Sequence, residues 1–344
     1  MKLLIIGGTK FLGRQLIDSA LARGHETTVF NRGRLISAPI AGVENIHGDR
    51  HRDLDKLSGH TWDAVIDTCG YLPQSLELSA RALADSVGTY IFVSSISAYA
   101  SFGQAGFDET APSAVLAEDQ RERFASFDPA SGINAGALGD AYGPLKAECE
   151  RTAESIMPGR VLNVRPGLIV GPFDPTDRFT YWVTRVADGG EVLAPGKPGR
   201  FVQLIDARDL SDWIVSAAEE HLTGIFNAAG RPDELTMEQM LQGIKRTTGS
   251  DAEFTWVDEQ FLTAWDVAPW SDLPLYLTES DTDSHGFLRV NVDRALSTGL
   301  AFRPFDKTVR DTLEWRRTDP SEMRAGIDRT RETELLKKWH EQER

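Results

Sequence analysis

The chain opens on a short β-like run, KLLII (2–6), that stops at Gly7-Gly8 and passes at once into a helix-period stretch, FLGRQLIDSALARG (11–24). A strand that turns through glycine into a helix has few places to go: the helix crosses the sheet and returns the chain to a parallel neighbour. The alternation continues through TTVF (27–30), VENIH (43–47), DAVID (63–67), YIFVS (90–94), VLNVR (161–165) and GIFNA (224–228), with helical patterns such as LELSARALADSV (76–87) between them. Apolar strands separated by helices predict an α/β fold, a doubly wound parallel sheet covered on both faces. Gly24 falls where the first helix needs a C′ residue.

This rhythm runs through residue 171 and returns over about 206–229, and these stretches are assigned to one nucleotide-binding domain. Residues 172–205 and 230–318 carry prolines and Trp182, Trp256, Trp265 and Trp270 with little βαβ regularity, and are assigned to a second, smaller domain. The segment 101–139, rich in Ser, Ala, Gly, Asp and Pro, breaks the pattern and reads as a lid or a locally disordered insert. The charged tail, 319–344, reads as a surface helix or a partly disordered end.

The formal net charge of −15 opposes binding to a phosphate backbone. Two cysteines, Cys69 and Cys149, are too few for a disulfide framework and suit a reducing cytoplasm. No apolar run is long enough for a signal peptide or a membrane span, and the histidines lack metal-ligand spacing. The expectation is a cytoplasmic protein with a small-molecule substrate, without metal, nucleic acid or membrane.

Gly7, Gly8 and Gly13 allow the backbone of Thr9, Lys10, Phe11 and Leu12 to approach a diphosphate at a helix N-terminus. About 20 residues on, an NAD-binding unit places an acid on the ribose 2′-hydroxyl. Here Asn31-Arg32 follows the second strand instead, and Arg32 can fork onto a 2′-phosphate. Lys10 adds a second cation, so NADP is favoured and NAD is the alternative; otherwise both are solvated surface cations. Asp49 either reaches the adenine amino group or simply forms a turn. Its neighbour Arg50, and Thr68 after the fourth strand, are further cofactor candidates.

In AYGPLKAECE (141–150), Tyr142 and Lys146 are i and i+4 on one helix face, and Pro144 places the helix start close by. A phenol with an ordinary pKa of about 10 is a poor acid or base at neutral pH, and a nearby ammonium favours its ionised form. Ser95, at the end of the fifth predicted strand, would face the crevice and hydrogen-bond a substrate oxygen. A Lys146–Glu150 pair reads as a modest helix-surface contact. Arg178, Tyr181, Tyr99 and the tryptophans at 256–270 are candidate pocket residues.

The ordered set GGTKFLG, FVSSISAY, YGPLK and RPGLIVGP resembles the extended branch of the short-chain dehydrogenase/reductase family, which includes nucleotide-sugar epimerases and dehydratases, over roughly residues 1–230. The resemblance implies a seven-stranded Rossmann sheet with a small C-terminal substrate domain. It implies Ser95, Tyr142 and Lys146 as the catalytic set, with Lys146 also on the nicotinamide ribose. Pro166, Leu168 and Ile169 would lie beside the nicotinamide. It also suggests a monomer, or a dimer through paired helices that include the one from residue 142.

Three departures bear on this. The turn lacks the family's middle glycine, as in atypical members such as chloroplast stem-loop-binding relatives, some of which have drifted from catalysis. Ile96-Ser97 stands where sugar dehydratases carry an acidic pair, which argues against dehydration. Ser95 and Tyr142 are 47 residues apart, wider than usual, because of the 101–139 insert. The leading expectation is therefore an NADP(H)-dependent oxidoreductase acting on a small carbonyl or secondary alcohol. An epimerase that uses its cofactor transiently, and a non-catalytic dinucleotide-binding or sensor protein, are the alternatives.

Overall fold

The computed structural model describes residues 1–33, 40–127 and 135–342. Its strands are β1 (Lys2–Ile6), β2 (Glu26–Asn31), β3 (Val43–His47), β4 (Trp62–Asp67), β5 (Val87–Val93), β6 (Val161–Pro166), β7 (Leu168–Val170), β8 (Glu191–Pro195), β9 (Leu204–Asp206), β10 (Gly224–Ala228) and β11 (Glu253–Val257). Seven of them form one parallel sheet in the order β3-β2-β1-β4-β5-β6-β10. The order reverses between β1 and β4, which is where an open α/β sheet leaves a crevice at its carboxyl edge.

The helices that cover this sheet follow from residues that alternate within each strand. Leu3 and Ile5 of β1 face a layer that includes Leu16 and Ile17, in α1 (Phe11–Ala22), while Leu4 and Ile6 face the opposite layer. That second layer holds α2 (Pro73–Leu83), through Leu76, Ala80 and Leu83. Both faces of β1 are buried, so this central strand reads as a nearly unbroken apolar run, whereas the edge strand β3 does not. Fully burying one such Leu or Ile contributes about 1.5–3 kcal/mol.

Later in the chain come α3 (Glu118–Ala125), α4 (Ala135–Leu138), α5 (Tyr142–Ile156), α6 (Arg178–Ala187), α7 (Ala207–Glu219) and α8 (Met237–Thr248). Helix α5 joins α2 through Cys149, Ala153 and Met157, and α7 joins α1 through Leu210 and Ile214. A separate apolar core gathers β7, β8, α6 and α8 with residues 252–288, and it includes the fully buried Trp182.

Two predicted boundaries move. Strand β5 begins at Val87 rather than Tyr90, because Trp62 pairs with Val87; Gly88 is a poor strand former and hid that extension. Helix α2 begins at Pro73, a first-turn position that suits proline, and ends at Leu83. The charged tail contains a helix over Arg329–Gln342, but one face of it is not surface. Leu335 is fully buried, and Glu332 accepts hydrogen bonds from Arg185 Nε at 2.6 Å and the Leu193 N–H at 3.0 Å. In the 101–139 insert, residues 128–134 lie outside the described region; before them, Phe102 and Phe107 pack beside Phe287.

Candidate functional site

A cleft of about 1170 Å³ opens along the carboxyl edge of the sheet, across the reversal between β1 and β4. One end is built on the first strand–helix turn. Gly7 and Gly8 take φ of +98° and +74°, which disfavour any side chain. A Cβ on Gly13 would lie 2.4 Å from Gly8 Cα, so α1 packs this close to the turn only with glycine there. Lys10 stands directly before α1 with φ −123° and ψ 154°, ordinary extended backbone. The lysine therefore costs the turn no strain. Thr9, Phe11 and Leu12 complete this wall.

Asn31 Oδ1 accepts from the Gly33 N–H at 2.6 Å and shapes the bend that carries Arg32. Lys10 and Arg32 are both exposed, both line the cleft, and neither side chain has an ion pair among the described residues. Asp49 also lines the cleft, but its Oδ1 accepts from the His51 N–H and ring Nδ1, each at 2.9 Å. Partial burial opposes its charge, yet these bonds from His51 hold its carboxyl below the usual range. Oδ1 is thus engaged in the turn, while Asp49 still lines the cleft.

Arg50 is largely committed too. Its Nη2 donates to Asp67 Oδ1 at 2.7 Å and to Cys69 Sγ at 3.3 Å, while Nη1 is buried without a partner among the described residues. Burial works against the Asp67 charge, but Arg50 outweighs it and keeps the carboxyl low. Thr68 Oγ1 donates to the Ile6 carbonyl at 3.0 Å and leaves 2.6 Å for a Cβ on Gly7, so it enforces that glycine. Burial pushes the Cys69 thiol up, which suits a packed residue rather than a nucleophile.

The same cleft is lined by Ser95, Tyr142 and Lys146, and by Pro166, Leu168 and Ile169. Ser95 caps the short turn Ile96–Ala98, its Oγ accepting from the Ser97 N–H at 3.1 Å. Tyr142 is the first residue of α5, and Pro144 sits in that helix's first turn. Its hydroxyl has no hydrogen-bond partner among the described residues. Lys146 is buried and donates to the carbonyls of Gly70 at 2.9 Å and Val93 at 2.7 Å. Its Nζ also stands 4.5 Å from the Phe92 ring centroid.

Gly143 is what lets these residues meet. A Cβ there would fall 2.0 Å from the Ser97 carbonyl, so only glycine lets α5 press against the Ser95 turn. The sequence signal was present in YGPLK, but a glycine beside a proline reads first as a helix start.

Three expectations give way. Glu150 does not pair with Lys146 at a surface: it is 5% exposed and held by Arg165 Nη2 at 2.6 Å and Nε at 2.9 Å, with Ser94 Oγ donating to it. Helix spacing put the two on one face but could not show that the face is buried. Tyr99 is buried off the cleft, its hydroxyl donating to Asn227 Oδ1 at 2.8 Å under the Arg165 guanidinium. Tyr181 packs edge-on against Trp182 in the smaller core. Of the pocket residues suggested by sequence, Arg178 and Trp270 line the cleft, joined by Phe102, Asp174 and Phe287. Those last three carried no local signal, because each comes from a different segment.

Among the described residues no helix is long and apolar enough to cross a membrane. No group of His, Cys, Asp and Glu among them is placed to hold a metal.

A Rossmann-type sheet, a three-glycine turn at its reversal point and a Ser/Tyr/Lys set in the same cleft define a dinucleotide-dependent α/β protein. The chain belongs to the NAD dependent epimerase/dehydratase family, whose model matches residues 3–229. It is 24% identical over 251 residues to chloroplast stem-loop binding protein of 41 kDa b of Arabidopsis thaliana, covering 67% of this chain and 58% of that protein. The chain thus spans little more than half the length of that curated relative.

Two solved structures share the fold. UDP-glucuronic acid 4-epimerase from Bacillus cereus in complex with NAD superposes with a TM-score of 0.63 at 12% identity, over 92% of this chain and 97% of that one. Human epimerase family protein SDR39U1 with NADPH does so with a TM-score of 0.58 at 20% identity, over 91% and 99%. The first of these is in complex with NAD and the second with NADPH, and the family to which this chain belongs is described as NAD dependent.

Proposed function

We propose that this protein is an NADP(H)-dependent oxidoreductase of the short-chain dehydrogenase/reductase type, acting on a carbonyl or secondary alcohol. The supporting observation is one continuous cleft. It carries two cations without ion-pair partners among the described residues, Lys10 and Arg32, and also Ser95, Tyr142 and Lys146. A fork of arginine donors suits a phosphate monoester, and no carboxylate follows β2 to repel it.

The dinucleotide, when bound, supplies or accepts the hydride. Tyr142 moves the accompanying proton, to the carbonyl oxygen in reduction and from the hydroxyl in oxidation. The Ser95 hydroxyl donates to that same oxygen and fixes its position. Lys146, one helical turn on from Tyr142 in α5 and held by two main-chain carbonyls, is the cation assigned to oppose the negative charge left on Tyr142 as its proton leaves. Pro166, Leu168 and Ile169 give the pocket an apolar wall that keeps water from the reacting carbon.

Calorimetric titration with NAD, NADP and their reduced forms tests the cofactor assignment, and equal affinity for NAD and NADP would overturn it. An epimerase that used its cofactor transiently would instead purify with dinucleotide bound and show no net consumption of it.

A further inference from the structure

Beyond Tyr142 the cleft is lined by Phe102, Asp174, Arg178, Trp270 and Phe287, from four separate segments. Arg178 is half-buried there, and its side chain has no ion-pair partner among the described residues. Among the described residues its one hydrogen bond is from Nε to Thr176 Oγ1 at 3.2 Å, with neither terminal nitrogen engaged. The guanidinium carbon lies 5.0 Å from the Trp270 ring centroid, and Arg178 lines the same cleft as Tyr142.

Trp270 reaches this position from a backbone φ of +68°, rare for a large aromatic, fixed by its N–H on the Tyr276 carbonyl at 3.0 Å. Phe287 stands edge-on to both Trp270 and Phe102, with centroids 5.6 and 5.1 Å away. The region therefore offers one stacked cation within an aromatic wall.

The charge count narrows what fits. Among the described lining residues here, Arg178 is the only cation and Asp174 the only carboxylate. Asp174 is 2% exposed, with Oδ1 accepting from the Thr176 N–H at 2.8 Å and Thr176 Oγ1 at 2.7 Å. Lys146 is already held by carbonyls. A diphosphate would bring two or more negative charges to one cation beside a carboxylate. A single carboxylate matches a single guanidinium in both charge and planar geometry.

We propose that the substrate is a ring-bearing monocarboxylic acid, its carboxylate forked by Arg178 and its ring packed against Trp270 and Phe287, which sets the carbon to be oxidised or reduced beside Tyr142. The inference rests on the oxidoreductase reading of the same cleft.

The test uses the full-length protein saturated with NADP and four calorimetric probes: benzoate, its neutral isostere benzamide, phenyl phosphate and UDP. Benzoate is expected to bind about tenfold or more tightly than benzamide, the value of a charge-assisted pair, and more tightly than phenyl phosphate or UDP. Arg178→Gln should bring benzoate and benzamide to near-equal affinity while NADP affinity stays within about twofold. Arg178→Lys should retain part of the preference.

Equal binding of benzoate and benzamide to the wild type would overturn the proposal, and that comparison needs no variant. Tighter binding of UDP or phenyl phosphate would overturn it in favour of a phosphorylated ligand. Failure of NADP itself to bind the wild type would refute the cofactor assignment instead, so the two failures are told apart.

Discussion

At the dinucleotide end of the cleft, Gly7 to Gly13 do most of the shaping within a single turn, and Asn31 and Arg32 follow one strand away. At the substrate end, Phe102, Asp174, Arg178, Trp270 and Phe287 meet from segments as much as 185 residues apart. The first end works mainly through backbone: positive φ angles and a glycine that admits a close helix. The second works through side chains on a separate apolar core, one of them held by a strained tryptophan backbone. Backbone architecture suits a ligand that many proteins share. A wall of side chains from distant segments can be changed residue by residue, and it is where the proposed substrate would be selected.

Tyr142 belongs to the junction between the two ends, and Tyr142→Phe should produce the largest effect. The ratio kcat/KM should fall about 10²–10⁴-fold with cofactor affinity preserved. A variant that keeps its turnover in steady-state assays would remove the junction from the chemistry altogether.

Asp174, beside Arg178, is a buried carboxyl whose ionisation couples to stability. Burial raises the Asp174 carboxyl to about 6, against the Thr176 hydrogen bonds and nearby Arg178, which lower it, while Asp177 adds to the rise. Its ionisation is therefore harder in the folded than in the unfolded chain. The sign is that stability present near pH 4 is lost as pH rises toward and through 6, by up to about 3 kcal/mol. Asp174→Asn should cancel that loss, so the variant gains on the wild type between pH 4 and 6.5. Denaturant titrations at a series of pH values would show two parallel curves if Asp174 were ordinary.

At the other end, Gly13→Ala places a Cβ against Gly8 Cα and should destabilise the fold by about 1–3 kcal/mol with loss of dinucleotide binding. Unchanged unfolding and unchanged titration would mean that the turn tolerates a side chain.

The smallest effect concerns preference rather than binding. Arg32→Asp should move the NADP-to-NAD affinity ratio by about tenfold toward NAD, and Lys10→Gly in the same direction by less. A ratio unmoved by either change would make both residues surface cations.

Much of the first end was legible in advance. The strands at 43–47 and 224–228 matched residue for residue, and the sheet followed from their alternation with helices. Ser95, Tyr142 and Lys146 were marked by a strand end and by i, i+4 spacing, and they do line one cleft. What escaped were burial and partnership. Spacing paired Lys146 with Glu150, whereas packing gave Glu150 to Arg165 and Ser94. Tyr99 and Tyr181 had the right residue type beside the right motifs but point into cores. Gly143 looked like part of a helix start and is instead the contact point between α5 and the Ser95 turn.

The sequence alone determined the sheet, the glycine turn, the absence of an acid after β2 and the spacing of tyrosine and lysine, because each depends on neighbours within one or two turns of chain. Only the tertiary structure decided which cations stay without ion pairs among the described residues, which carboxylates are spent on other side chains, and that Arg178 lies over the Trp270 ring in the cleft that Tyr142 also lines. Those outcomes depend on which distant groups come within a few ångströms, and local periodicity carries no record of that.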